Sequence, residues 1–327
     1  MIRRVIGKSG IDASAITMGL WAAGGDSAWG ASDDAETIRA IHAAFDRGID
    51  IYDTAPAYGF GRSERVLGEA LKGMRHKVRV ITKCGLRFDG VGARLLERDG
   101  TPITIDPSPE TVVSGTEQSL KNLQTDYIDV LITHWQSRPP HIVPIEDTMS
   151  ALLQLKKEGK IRAIGISNVT LDQVKEYLKY GQVDLIQQKY SMLSREAEDE
   201  LLPFCIENNI MLQAYSPLEQ GLLTGRFTME TVLPDNNIRN RIRWYQPALR
   251  AMLIGVLSKW QPLCEKYGCS VSNLAIAWLL GQGEVVNAAC GARKTAHILD
   301  NAKGAEIVLD REDLVSMRED ILSIDSE

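Results

Sequence analysis

The sequence predicts an α/β fold of the TIM-barrel type, a single (β/α)8 barrel, from two observations. Short apolar, β-branched runs alternate with longer segments of helical periodicity along the chain, which is the pattern of parallel βα units. Eight such runs occur, at residues 16–20, 49–53, 78–83, 128–134, 161–167, 185–190, 210–216 and 285–291. No Pro-, Gly- or Ser-rich linker and no charge block divides the chain, so we expect one domain over residues 1–327.

Start and stop signals bound several of the intervening helices. Ser32 is expected to cap the first helix and Gly48 to end it. Pro109 is suited to the first turn of a later helix, and Gly159 closes the one after that. A doubly wound sheet is the competing arrangement, but no GxGxxG motif follows the first strand.

The ends of the barrel are predicted from the remaining segments. Residues 3–6 and 12–15 are expected to form a β-hairpin that plugs the bottom of the barrel. Two long loops, 84–108 and 219–246, follow the third and seventh strands. Both stand at the C-terminal face, where such barrels carry their chemistry, so we expect them to shape the substrate pocket.

Composition and charge exclude several classes of protein. Of 327 residues, 44% are hydrophobic and 24% are charged, which is typical of a soluble globular protein. The formal net charge is −6 and the basic residues are scattered, which argues against a nucleic-acid or anionic-membrane surface. No apolar run approaches the roughly 20 residues that span a bilayer, and no secretory signal is evident, so a cytoplasmic location is expected.

The cysteines indicate neither a disulfide framework nor a zinc ribbon. Their number is odd and no CxxC motif occurs among Cys84, Cys205, Cys264, Cys269 and Cys290. No metal site is therefore predicted, and self-association into a homo-oligomer is left open.

Four polar residues lie at or just beyond the C-terminal ends of predicted strands: Asp53, Tyr58, Lys83 and His134. In a barrel these ends converge on one mouth. A charged Lys83, paired with Asp53, is expected to lower the pKa of a neighbouring phenol from its usual ~10, which makes Tyr58 a usable acid. His134 is then available to donate a hydrogen bond to the substrate oxygen or to relay its proton.

Each of the four residues also has a simpler interpretation. A strand-end aspartate caps loops, a lone tyrosine packs in a core, and a lone histidine is often a satisfied buried side chain. Lys83 could alternatively form a Schiff base in an aldolase or isomerase. Asp53 argues against that chemistry, because it favours the charged ammonium.

Ordered motifs along nearly the whole chain resemble those of the aldo-keto reductase family. They are DTAPAYG at 53–59, GRSE at 61–64, ITK at 81–83, YID at 127–129, TH at 133–134, GKIR at 159–162, GISN at 165–168, YSPL at 215–218, GLLTG at 221–225 and GAR at 291–293. DTAPAYG together with SPLEQGLLTGRF at 216–227 is most similar to the bacterial branch that includes general stress proteins.

The resemblance implies roles at the catalytic and nicotinamide positions. Tyr58 would be the proton donor, Lys83 and Asp53 its tuners, and His134 the residue that orients the substrate oxygen. The other implied contacts lie along an extended nicotinamide cofactor. Ser167, Asn168 and Gln187 would hold the carboxamide and Tyr215 would stack on the ring, while Ser216, Leu218 and Gly221 would follow the pyrophosphate and Gly19 and Trp21 would complete the cofactor-binding set.

The resemblance also implies where the adenosine end of the cofactor lies. The residues near it would be Gly291, Arg293, His297 and Asn301. Arg293 is suited to a 2′-phosphate, because a guanidinium carries fixed charge and several donors, so NADPH (NADP+) is predicted over NADH. Cys290 and His297 depart from the family pattern, which often has Pro and Gln or Arg there. NADH therefore stays open as a cofactor.

Loop aromatics are expected to wall the substrate pocket. Trp21 and Trp135 follow the first and fourth strands, and Phe88 lies in the loop after the third. That loop also carries Arg87, Arg94 and Arg98, which we interpret as a solvated face.

The sequence therefore predicts an NADPH-preferring oxidoreductase that reduces aldehydes or ketones reversibly. The partner is a small-molecule carbonyl or polyol. A nicotinamide-binding regulator resembling potassium-channel β-subunits, and a sugar or polyol dehydrogenase that uses NAD, are the alternatives.

Overall fold

Eight parallel strands close into a barrel in the computed structural model, which describes residues 1–27, 29–233 and 237–325. In the part of the chain that the structure describes, the strands of the barrel and of two smaller sheets are, in chain order, β1 (Arg3–Val5), β2 (Asp12–Ser14), β3 (Ile16–Gly19), β4 (Ile51–Asp53), β5 (Arg79–Cys84), β6 (Leu86–Arg87), β7 (Ala93–Arg98), β8 (Thr101–Ile105), β9 (Ile128–Thr133), β10 (Ile161–Ser167), β11 (Leu185–Lys189), β12 (Met211–Tyr215) and β13 (Val286–Gly291). The barrel order is β3-β4-β5-β9-β10-β11-β12-β13, closing back on β3.

Helices follow the barrel strands. They are α1 (Asp34–Asp46), α2 (Arg62–Ala70), α3 (Pro109–Leu123), α4 (Ile145–Lys157), α5 (Leu171–Tyr180), α6 (Leu201–Asn208), α7 (Pro247–Ser258), α8 (Gln261–Tyr267), α9 (Val271–Leu280), α10 (Thr295–Gly304) and α11 (Arg311–Asp325). None of the described helices has the length and apolar character needed to cross a membrane.

The predicted (β/α)8 barrel is confirmed, and all eight predicted strands occur. Their ends differ from the predicted ends by at most two residues. The strand register places Gly19 opposite Asp53, and Lys83 opposite Ile132 on β9. Residues far apart in the chain are thereby brought to the C-terminal mouth of the barrel.

The predicted N-terminal hairpin is confirmed as well. β1 and β2 pair in antiparallel fashion, with Arg3 opposite Ser14. Ile6, Ile11 and Ala13 of this hairpin are buried in one cluster with residues of the barrel strands, among them Ile51 of β4. The hairpin therefore closes the barrel by burying apolar side chains.

Helix termini follow the sequence signals with one correction. Ser108 accepts a hydrogen bond from Thr111 N ahead of Pro109, which caps α3 as a first-turn proline allows. The cap of α1 is Asp33, whose side chain accepts from Glu36 N, and not the predicted Ser32. A carboxylate one position later in the chain reaches that amide.

The two long loops differ from each other. The segment predicted as a loop at 84–108 contains a three-stranded antiparallel sheet in the order β6-β8-β7. The segment 219–246 has only short 3-10 turns in its described part, at Glu219–Thr224, Ile238–Arg241 and Arg243–Tyr245. Residues 234–236 of that predicted loop lie outside the described residues.

A substitution at Gly7 tests how tightly the hairpin seats against the barrel. Gly7 has a φ of +53°, and a Cβ added there would lie 2.3 Å from Asp184 O. Gly10 has a φ of +72° but nothing within 4 Å of an added Cβ. We expect Gly7→Ala to lower the free energy of unfolding by about 1 to 3 kcal/mol more than Gly10→Ala, because only Gly7 adds a steric clash to the backbone strain. Equal losses of unfolding free energy for the two variants, measured by urea denaturation, would show that the hairpin shifts without cost to accommodate the added methyl group.

Candidate active site

The four predicted catalytic residues meet at the mouth of the barrel. The Lys83 ammonium lies 2.8 and 3.0 Å from the two carboxylate oxygens of Asp53. It also donates to the Tyr58 hydroxyl at 3.1 Å and to the Thr54 carbonyl at 2.9 Å. The ring of His134 lies edge-on to Tyr58, with centroids 6.1 Å apart. The geometry is that of a phenol held against a buried ammonium.

A close backbone contact positions Tyr58. Gly59 has a φ of +63°, and a Cβ added there would lie 2.2 Å from the carbonyl oxygen of Gly24. A Cβ on Gly24 would in turn lie 2.7 Å from Gly59 N. The turn after β4 therefore packs backbone to backbone against the turn after β3, which accounts for glycine in the AYG part of the motif.

The pKa of Lys83 is raised although its side chain is buried. Burial by itself lowers the pKa of an ammonium, but the charge of Asp53 and the hydrogen bonds to Asp53 and Tyr58 outweigh it. The pKa of Lys83 thus lies above its ordinary value of 10.5, and the group is charged at neutral pH.

The pKa of Tyr58 is raised above its ordinary value of 10.0. Burial is the largest cause, and it outweighs the opposing charge of Lys83. The expectation that Lys83 brings this pKa below its ordinary value is therefore wrong, although the lysine acts in that direction. Tyr58 carries its proton at neutral pH, which is the form that a proton donor needs.

The pKa of His134 is lowered well below 6.5, first by burial and then by the charges of Lys83 and Arg98. The imidazole is therefore neutral at pH 7. A neutral imidazole can still donate one hydrogen bond. His134 is thus suited to orienting an oxygen rather than to supplying the proton.

A buried chain of hydrogen bonds runs from Asp53 across the barrel interior. Gln187 Nε2 donates to Asp53 Oδ2 at 2.8 Å and to Gln213 Oε1 at 2.6 Å. Gln213 Nε2 continues to Thr17 Oγ1 at 2.8 Å and to Asn287 Oδ1 at 3.0 Å. Sequence reasoning missed Gln213, Asn287 and Thr17. Polar residues inside otherwise apolar strands were the available signal.

The predicted nicotinamide-end residues are brought together at the strand ends. Asn168, with a φ of +55°, donates through Nδ2 to Ser167 Oγ at 3.1 Å and to the His134 carbonyl at 2.9 Å. Its Oδ1 accepts from the Tyr215 hydroxyl at 2.9 Å. Gln187 already binds Asp53, which joins this group to the catalytic residues.

The predicted pyrophosphate residues lie in the turn that follows β12. Ser216 has a φ of +56° and Gly221 one of +108°, and Leu218 lies between them. Phe227 packs beside Gly221, within 3.3 Å of where a Cβ would be. Glu219 N donates to the Ser216 carbonyl and Gly221 N to the Leu218 carbonyl, both at 2.9 Å, so the turn is closed by its own backbone hydrogen bonds and its role toward a pyrophosphate stays a prediction.

The predicted adenosine residues lie at the end of β13 and on α10. Gly291 ends β13, and a Cβ there would meet nothing within 4 Å. His297 and the buried Asn301 lie on α10. The pKa of His297 is lowered by burial and then by nearby cations, the first of them Arg226 and Lys294. Both cations and the carboxylates of Asp300 and Glu36 therefore lie near the N-terminal turns of α10.

At the predicted adenosine end, Arg293 and Glu36 make contacts that were not predicted. Arg293 Nη1 donates to the carbonyls of Trp29, at 3.2 Å, and Ala31, at 3.0 Å. Glu36 Oε1 accepts from Thr295 N at 3.1 Å, so a carboxylate lies against the first turn of α10.

The three aromatic residues predicted to wall the substrate pocket make different contacts. Trp21 stacks on Tyr58, with centroids 6.1 Å apart and an interplanar angle of 28°. Phe88 packs edge-on against Phe60 and lines a cavity of about 500 Å³ that also reaches Lys83 and His134. Trp135 follows His134 directly and is half-buried, but it neither lines that cavity nor stacks on a described aromatic ring.

The three arginines of the 84–108 segment do not form one solvated face. Arg94 is exposed and pairs with Glu97. Arg87 is held by Asp89 and Asp106. The side chain of Arg98 is only 10% exposed and lies at the mouth, so the solvated interpretation is wrong for this residue.

The sequence matches the model of the Aldo/keto reductase family over residues 15–320. A similar curated protein is an NADH-specific methylglyoxal reductase of Escherichia coli. It is 42% identical over 316 residues, which cover 96% of each chain. This single alignment spans nearly the whole length of both proteins.

Two solved structures are also similar. A glycerol dehydrogenase from Gluconobacter oxydans has a TM-score of 0.88 at 32% identity, covering 98% of this chain and 95% of its own. An aldo-keto reductase from Klebsiella pneumoniae in complex with NADPH has a TM-score of 0.73 at 26% identity, with the same coverage. The resemblance found in the motifs is thereby confirmed: the chain belongs to the Aldo/keto reductase family and is an oxidoreductase.

Proposed function

We propose that the chain reduces small aldehydes or ketones to alcohols, with Tyr58 as the proton donor. The observation that carries this proposal is the 3.1 Å contact between the Lys83 ammonium and the Tyr58 hydroxyl. A nicotinamide cofactor, when bound, supplies the hydride. The carbonyl then gains one hydride and one proton, and the reverse reaction oxidises an alcohol.

The residues at the mouth have separate tasks in this proposal. Tyr58 donates its proton to the carbonyl oxygen as negative charge develops there. Lys83 stabilises the resulting phenolate, because its charge lies beside the same oxygen. Neutral His134 donates a hydrogen bond that orients the substrate oxygen. Asp53 keeps the ammonium charged and in place.

Cofactor choice rests on opposing contacts around α10. The predicted preference for NADPH rests on Arg293, and the cations near His297 and a similar structure in complex with NADPH agree with it. NADH is favoured by Glu36, because its carboxylate accepts from Thr295 N in the first turn of α10 and would repel a further negative group at that helix N-terminus. The relative named for NADH specificity also points in this direction.

The alternative functions predict different observations. Oxidation of a polyol uses the same residues in reverse, and the similar glycerol dehydrogenase structure favours testing it. A regulator resembling potassium-channel β-subunits would turn over carbonyls very slowly and bind a partner in a nucleotide-dependent way. A Schiff-base role for Lys83 is disfavoured, because its raised pKa leaves no free amine. A cytoplasmic location and self-association stay predictions.

Tyr58→Phe tests the proton donor. We expect carbonyl reduction at saturating substrate to fall about 10²- to 10⁴-fold, with cofactor affinity close to wild type, because only the acid is deleted. Tyr52→Phe is the matched control, since it removes a buried hydroxyl that binds the carbonyls of Ile41 and Ile49 instead. Retention of most of the rate in Tyr58→Phe would refute the assignment.

Arg293→Ala and Glu36→Gln together decide the cofactor. Fluorescence titration should show that Arg293→Ala weakens NADPH binding about 10- to 150-fold and leaves NADH binding unchanged, if the guanidinium binds the 2′-phosphate. Glu36→Gln should strengthen NADPH binding alone if the carboxylate repels that phosphate. An unchanged affinity for both cofactors in Arg293→Ala would contradict the phosphate role. Equal losses for both cofactors would indicate a damaged loop.

A further inference from the structure

Arg98 lies at the mouth of the site although it belongs to the inserted sheet. It ends β7, and its guanidinium carbon lies 5.8 Å from the centre of the Trp21 ring. Trp21 in turn stacks on Tyr58. Arg98 and Tyr58 therefore both border the Trp21 ring, and the side chain of Arg98 is 90% removed from solvent. The charge of Arg98 also acts on the pKa of Tyr58 and of His134, which agrees with this position.

The Arg98 guanidinium keeps unused donors. Its Nη1 contacts Asp26 Oδ2 at 3.2 Å, which is the one hydrogen bond that it makes to the described part of the chain. A guanidinium has five N–H donors, so most of them stay available. The indole N–H of Trp21 is likewise buried without an acceptor among the described residues. A buried donor without an acceptor is costly, so the Trp21 indole N–H favours a ligand that brings an oxygen atom to this mouth, and the free Arg98 donors beside the same ring offer further hydrogen bonds.

The other titratable groups at the mouth do not occupy the free donors of Arg98. Lys83 is neutralised by Asp53, and its donors already reach Asp53, Thr54 and Tyr58. His134 is neutral. The donors of Tyr58 and His134 are assigned to the reacting carbonyl oxygen in the proposed function. Among the described charged groups at the mouth, Arg98 is therefore the one that keeps donors for a second substrate oxygen.

Resting on the carbonyl reduction proposed above, we propose that Arg98 is a specificity-determining residue that donates to a second oxygen of the substrate. The preferred substrates are then small carbonyl compounds with a further acceptor oxygen, such as dicarbonyls and hydroxycarbonyls. A simple aldehyde has no second oxygen for these donors and gains no hydrogen bond from Arg98.

Two substrates that differ by one oxygen test the proposal. Methylglyoxal is propanal with a second carbonyl oxygen, and the ratio of their kcat/KM values measures the recognition of that oxygen. The variant is Asp26→Asn/Arg98→Met, which removes the donors together with the carboxylate charge that faces them. Arg94→Met is the control, because Arg94 lies on the same strand but is exposed.

We expect the preference for methylglyoxal over propanal to fall about 10- to 150-fold in the double variant and to stay unchanged in Arg94→Met. A direct cofactor titration establishes that the double variant is folded. Equal losses for the two substrates, or no change in either, would overturn the role of Arg98. A wild-type protein that reduces neither substrate nor any other carbonyl would instead refute the proposed function, and the role of Arg98 with it.

Discussion

The buried ion pair between Lys83 and Asp53 is the interaction on which the rest of the site depends. Removing one partner of a buried pair costs about 3 to 5 kcal/mol, because it leaves an uncompensated charge. Here the pair is joined to neighbours on both sides, with Tyr58 on the ammonium and Gln187 on the carboxylate. The barrel interior, the Tyr58 phenol and the predicted carboxamide site therefore share one network. A barrel provides this arrangement because parallel strands end at one mouth.

In the proposed reaction, the network keeps the Tyr58 phenol protonated and stabilises the phenolate that forms when the proton leaves. Burial holds the pKa of Tyr58 above its ordinary value, so the proton stays in place until a substrate accepts it. Lys83 reduces the cost of losing that proton, because its charge lies next to the phenolate oxygen that results. A neutral His134 completes the site without competing for the same proton.

The sequence was sufficient for the barrel strands and for the four residues at its mouth. Strand periodicity is local, and a strand-end residue such as Asp53 or Lys83 is carried to the mouth by topology alone. The sheet within 84–108 was missed, because its strands are short and its buried apolar residues, Ala93, Ile103 and Ile105, are too few to give a clear alternating pattern. The direction of the pKa shift at Tyr58 was missed because it is a balance between burial and charge. Arg98 was misjudged, since its partner Asp26 lies 72 residues away in the chain.

A double-mutant cycle on Lys83 and Tyr58 tests the central claim, namely that the lysine acts through the phenol. The measurement is the single-turnover rate of carbonyl reduction at neutral pH for wild type, Lys83→Met, Tyr58→Phe and the double variant. If Lys83 acts through Tyr58, the double variant is no slower than Tyr58→Phe, since the group that the charge stabilises is already gone. Rate losses that multiply in the double variant would show that the two residues act independently, which would contradict the account.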